Sequence, residues 1–90
     1  MATTLSFTPN LYRHVDCQRA PVSGACVREV LERYFESNPR VRGYVLDDQG
    51  AVRPHVAVFL NQVPIRDRTR LTDAVGDGDE IFIVGALSGG

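Results

Sequence analysis

Polar and apolar residues alternate along Thr4-Leu5-Ser6-Phe7, the period of a half-buried strand, and Pro9-Asn10 ends the run. Leu11 to Arg19 shows no clear period and reads as irregular. Arg19-Ala20-Pro21-Val22 reads as a short strand that Pro21 confines to a sheet edge or a strand end. The pattern then changes. Val27, Val30, Leu31, Tyr34 and Phe35 recur at i, i+3, i+4, i+7 and i+8, which predicts an amphipathic helix from Cys26 to about Ser37. Arg28, Glu29, Glu32, Arg33 and Glu36 fall on its other face, with Arg28/Glu32 and Glu29/Arg33 spaced for weak mutual support. Asn38-Pro39 stops it.

Several strands follow. Tyr44-Val45-Leu46 and Ala51-Val52 flank Asp47-Asp48-Gln49-Gly50, a turn with glycine at its end. His55-Val56-Ala57-Val58-Phe59-Leu60 is the strongest strand signal, and Asn61-Gln62 separates it from Val63-Pro64-Ile65. Arg66 to Arg70 is a charged loop, and Leu71 and Val75 bracket a short turn or helical piece. Asp77-Gly78-Asp79 is a tight turn before the last strand, Glu80-Ile81-Phe82-Ile83-Val84. Gly85-Ala86-Leu87-Ser88-Gly89-Gly90 cannot hold structure alone, because its glycines and free end leave too much entropy. The economical packing of these elements is an α+β domain over residues 1–84, with a flexible tail over 85–90. One main helix lies across one face of a mixed sheet of four to five strands.

Ninety residues make one domain, which buries roughly 60–65% of the surface its unfolded form exposes. That is one modest core, so an unaided enzyme with a deep cleft is a poor expectation. Charged residues are 23% and the net charge is -1, which gives no electrostatic reason to expect nucleic acid or an anionic membrane as a partner. All ten basic residues are arginine. Base composition of the genome explains that simply, although a chain bearing an activated acyl group would also gain from having no nucleophilic lysine. No apolar run is long enough to span a bilayer, and Met1 to Phe7 lacks the features of a secretory signal, so the expectation is cytoplasmic. His14, Cys17, Cys26 and His55 lack the paired short spacing of a zinc site, and no metal is expected. Cys26 at a helix start could ionise readily, but reads more simply as a small half-buried residue.

The pattern Leu71…Ala74-Val75…Asp77-Gly78-Asp79-Glu80-Ile81-Phe82-Ile83-Val84…Ser88-Gly89-Gly90 resembles the ThiS/MoaD family of ubiquitin-like sulfur carriers. Phe7 to Arg13 looks like the family's first strand and Pro-x-Leu-x-Arg loop. Ser23 to Leu31 looks like its helix start, and Val56 to Asn61 like its central strand and Asn turn. Cys26 departs from the usual threonine-like cap, and the middle section is longer than in the most compact members. The longer form looks closer to the carrier of cysteine biosynthesis. A plant-type ferredoxin, also a β-grasp protein, needs four cysteines and is excluded by their number.

The resemblance implies a β-grasp fold and a protein co-substrate that binds no cofactor of its own. A partner adenylating enzyme would use ATP on the Gly90 carboxylate, a sulfur donor would convert the acyl-adenylate to a thiocarboxylate, and an acceptor enzyme would take the sulfur. A tail without Cβ atoms suits a narrow nucleotide pocket, which Gly89 and Gly90 meet and to which Gly85 adds freedom at the tail's root. Nothing would follow Gly90. Phe59, Phe82 and Val84, alternating away from the helix, would form an exposed apolar docking patch, unless the Arg66–Arg70 loop covers them. Leu87 is a second anchor, and Arg66, Arg68 and Arg70 could steer an acidic partner. Two other readings stand beside this one: a small subunit that inserts its tail into a molybdopterin-synthase-like partner, and a β-grasp interaction module without tail chemistry.

Overall fold

A computed structural model describes residues 2–7 and 20–85 of the chain. Strands β1 (Thr3–Phe7) and β2 (Ala20–Val22) precede helices α1 (Val27–Ser37) and α2 (Pro39–Val45), and β3 (Val56–Leu60), β4 (Val63–Pro64) and β5 (Glu80–Gly85) follow. The five strands form one sheet in the order β2-β1-β5-β3-β4. β1 and β5 run parallel at its centre, and the other three pairs are antiparallel. Both edge strands are short and carry proline, Pro21 on β2 and Pro64 on β4, which blunts strand-by-strand growth at either edge.

An isolated helix of 11 residues is marginal in water, so α1 depends on what it covers. Its predicted stripe, Val27, Val30, Leu31, Tyr34 and Phe35, is buried to 5% exposure or less against Leu5, Phe7, Val56, Val58, Ile81 and Ile83 of the sheet. The Phe7 and Tyr34 rings meet at 5.2 Å. Each such side chain contributes about 1.5–3 kcal/mol by leaving water, which fixes which face of the sheet the helix covers.

The start of α1 shows why Cys26 suffices at the cap position, where it makes no side-chain capping bond. The first N–H groups of the helix go elsewhere: Val27 N donates to Asp73 O at 3.0 Å and Arg28 N to Leu71 O at 2.9 Å. Orphan donors at a helix start need acceptors, and here a distant segment supplies them. Glu29 reaches back to accept from Ala25 N at 2.9 Å. The chain must pass very close to deliver this arrangement. A Cβ at Gly24 would lie 2.8 Å from Val30 Cγ2 and 2.9 Å from Val30 N, which accounts for a glycine there. Arg28 spans the same junction, donating to Arg70 O at 2.7 Å, Gly50 O at 3.0 Å and Thr69 O at 3.3 Å. Arg28 thus serves tertiary contacts and Glu29 a local one at the helix start, instead of the helix-face pairs their spacing suggested, while Glu32 lies 3.8 Å from Arg42 of α2.

Three expectations are corrected. Tyr44-Val45 belongs to α2, not to a strand. Pro39 begins that helix as well as ending the first, and Val41 and Val45, one turn apart, are buried at 1% and 0% exposure. Of the expected pairing across Asp47–Gly50 only a single bridge, Leu46 to Val52, remains. Leu71 to Val75 is not helical: Ala74 bridges Cys26, and Leu71, fully buried, has a φ of 59° that a bulky side chain rarely adopts. Finally, the last strand continues through Gly85, which pairs with Val56 and is buried, so this glycine gives the root of the tail no freedom.

Candidate functional site

Alternation along β5 divides it between two environments. Ile81 and Ile83 are fully buried under α1, whereas Phe82 is 38% exposed and Glu80 and Val84 are half-buried on the opposite face. Strand register builds that open face in rows. Ser6, Phe82, Phe59 and Pro64 stand side by side across four strands, Val84 stands beside Ala57, and Glu80 stands beside Thr4. The result is a shallow groove of about 510 Å³ lined by Ser6, Phe59, Gln62, Glu80, Phe82 and Val84. Its apolar part lies toward Gly85, where residues 86–90 begin. Its polar part lies at the other end, at Gln62 and Glu80, and Glu80 Oε2 accepts from Ser6 Oγ of the middle row at 3.4 Å.

The Arg66–Arg70 loop does not cover this face. It packs at the start of α1, where Thr69 and Arg70 carbonyls receive Arg28, and Arg68 O accepts from Val52 N at 2.8 Å. Phe59, Phe82 and Val84 are therefore brought together on one groove that none of the described residues closes over. Of the three arginines singled out by sequence, Arg66 and Arg70 are exposed. Arg68 is held differently. Its guanidinium donates to Arg53 O at 2.8 Å and Val56 O at 2.7 Å, bracing the end of β3 that pairs with Gly85. It is a brace at the tail's root, not a free steering charge. Gly89, Gly90 and Leu87, like His14 and Cys17, lie outside the described residues.

Two carboxylates shape the arginine loop. Asp73 accepts from Arg66 N and Asp67 N, both at 2.9 Å, and Asp67 accepts from Arg70 N at 2.8 Å, the Thr72 hydroxyl at 2.7 Å and Thr69 N at 3.1 Å. The Arg70 N–H, then the Thr72 hydroxyl, hold the Asp67 carboxyl down at about 2. Its folded value lies below its unfolded one, so the ionised form favours folding. That contribution is present above about pH 4 and lost as pH falls toward about 2. The stability gap between the wild type and Asp67→Asn is therefore expected to shrink across that window, as thermal melts at several pH values would show. A gap independent of pH would contradict it.

A second anchor lies at the polar end of the groove. Asn61 Nδ2 donates to Asp79 Oδ1 at 3.0 Å, and Asn61 Oδ1 accepts from Glu80 N at 2.9 Å. The Asn61 amide, with Gly76 N–H behind it, lowers the Asp79 carboxyl from its usual range. The β3–β4 turn is thereby tied to the Asp77-Gly78-Asp79 turn, where Gly78 has a φ of 84°. Sequence reasoning did not single out Ser6, Gln62 and Glu80. Glu80 shares the period-2 face of Phe82 and Val84, and Ser6 alternates with Leu5 and Phe7, so both could have been found from alternation. Gln62 could not, because only the turn geometry turns it to the groove.

Comparison with known proteins decides the family. The model of the ThiS family matches residues 12–90. The chain belongs to the ThiS family. No curated protein matches it. Among solved structures, this ThiS-family chain is similar to SAMP1 from Haloferax volcanii, with 24% identity, full coverage of both chains and a TM-score of 0.79. It is similar to a chain of the Amycolatopsis orientalis BexX/CysO complex, with 23% identity over 99% of this chain and 100% of that one, at a TM-score of 0.82. The Haloferax volcanii HVO 2177 protein is 28% identical over 100% of this chain and 87% of its own, at a TM-score of 0.72. The fold is the β-grasp of ubiquitin-like proteins, as the sequence resemblance implied. Among the described residues, no helix is long and apolar enough to cross a membrane.

Proposed function

We propose that this ThiS-family chain is a sulfur carrier whose reactive group is the carboxylate of Gly90. In the first step that carboxylate attacks the α-phosphorus of ATP held by a partner enzyme, and pyrophosphate leaves. Hydrosulfide released by a sulfur donor then attacks the acyl carbon, the acyl–phosphate bond breaks, AMP departs and the sulfur loses its proton, which leaves a thiocarboxylate for an acceptor enzyme. The carrier supplies no acid, base or nucleophile beyond its own end. It is a co-substrate, and ATP is the partner's.

One observation carries this reading: the strand that turns Phe82 and Val84 outward is the strand that runs on into the Gly-Gly tail. Five residues beyond Gly85 reach at most about 17 Å, so any protein holding Gly90 must approach the sheet closely. Among the described residues α1 covers the other face, and the apolar groove is an open sheet surface within that reach. Leu87 adds an apolar contact along the tail, and Arg66 and Arg70 favour an acidic approach. The test is incubation with ATP, the activating enzyme from the same genome and a sulfur donor. Intact mass is expected to rise by one oxygen-to-sulfur exchange, located at Gly90. An unchanged mass with an active enzyme preparation would overturn the proposal.

A further inference from the structure

The β3–β4 connection holds a residue that local energetics do not favour. Leu60 pairs with Val63, so the turn is the two residues Asn61 and Gln62, with φ values of 51° and 72°. A two-residue hairpin turn with positive φ at both positions strongly prefers glycine at the second. Asn61 has a local reason to be there, since it adopts the left-handed region readily and its side chain ties Asp79 to Glu80 N. Gln62 has a longer side chain and no such conformational preference. Strain of this kind persists where the side chain is wanted for something.

What the strained turn achieves is placement. Gln62 is exposed and lines the open-face groove with Phe59, Phe82 and Glu80. It stands at the end of the groove away from Gly85, since the neighbouring Leu60 pairs with Ile81. Resting on the proposed function, we infer that Gln62 is a partner-reading residue: its carboxamide hydrogen-bonds the adenylating protein at the polar rim of the groove. The occupant follows from reach. The protein that takes Gly90 must lie within about 17 Å of Gly85, and among the described residues no element covers the sheet face that carries Phe59, Phe82 and Val84. An apolar group of that protein fills the space beside Phe82. The carboxamide, with both donor and acceptor, sets the far end of the footprint while the tail fixes the near end.

The two demands on Gln62 oppose each other, and that makes the test sharp. Gln62→Gly relieves the turn, so its melting temperature is expected to rise by about 2–8 °C. The same variant is expected to raise KM for the carrier in ATP–pyrophosphate exchange by about 5–20-fold with kcat unchanged, as loss of one remote interfacial hydrogen bond requires. Gln62→Ala keeps the strain and loses the amide, so KM should rise as far without the gain in melting temperature. A purely structural role would not give stabilisation together with weaker engagement. If both variants keep the wild-type KM, the inference is wrong. If the wild-type chain supports no exchange at all, the proposed function itself falls, and this inference with it.

Discussion

One alanine added after Gly90 is expected to suppress sulfur loading by about 100-fold or more while the melting temperature stays within about 1 °C of wild type. The reasoning is geometric. An extra residue moves the terminal carboxylate by about 3.5 Å, and in-line attack on a bound nucleotide tolerates far less than that. The new side chain also places a Cβ where Gly90 has none, in a pocket that must admit backbone and phosphate together. Stability should not respond, because the buried core lies between Leu5 and Ile83 and an addition past position 90 touches none of it. A measurement of thiocarboxylate yield beside a thermal melt separates the two effects. Unimpaired loading of the extended chain would mean that Gly90 is not the reactive end.

The second large effect is expected at Phe82. Exchange of this residue for aspartate puts a charge at the centre of the apolar row formed with Phe59 and Pro64, directly beside Ser6. Central aromatic residues carry most of the energy of such interfaces, so KM for the activating enzyme should rise by about 30-fold or more. The domain itself should lose no more than about 1 kcal/mol, since Phe82 already stands 38% exposed and faces away from the core. Pyrophosphate exchange against carrier concentration, with a melt as control, reads both quantities. Normal KM in a folded Phe82→Asp variant would show that the groove is not where the partner sits.

How much of this was legible beforehand depends on whether a feature has a period. α1 and the strands β1, β3 and β5 each carry one; α1 and β5 fall where the period puts them, whereas in β1 the polar Thr3 and Ser6 are buried beside the apolar residues. Alternation also separated Ile81 and Ile83 from Phe82 and Val84. It could not say whether the arginine loop would cover the second pair, because that is decided by where Thr69, Arg70 and Arg68 bond, through carbonyls that leave no mark in sequence. α2 was misread because it offers a single buried pair, Val41 and Val45, and because a proline that stops one helix can equally open the next. Leu71 and Gln62 hide for a related reason: positive φ at residues other than glycine is imposed by tertiary context and contradicts local preference. The role of Arg68 at the root of the tail belongs to the same class. The Gly-Gly end is the opposite case, plain in the sequence and argued from chemistry alone.

Intact-mass analysis of the chain after treatment with ATP, its activating enzyme and a sulfur donor addresses the central claim most directly. The account requires a single oxygen-to-sulfur exchange, with fragmentation placing the sulfur on Gly90. Sulfur bound at Cys17 or Cys26, or a mass that does not change while ATP is consumed, would contradict it.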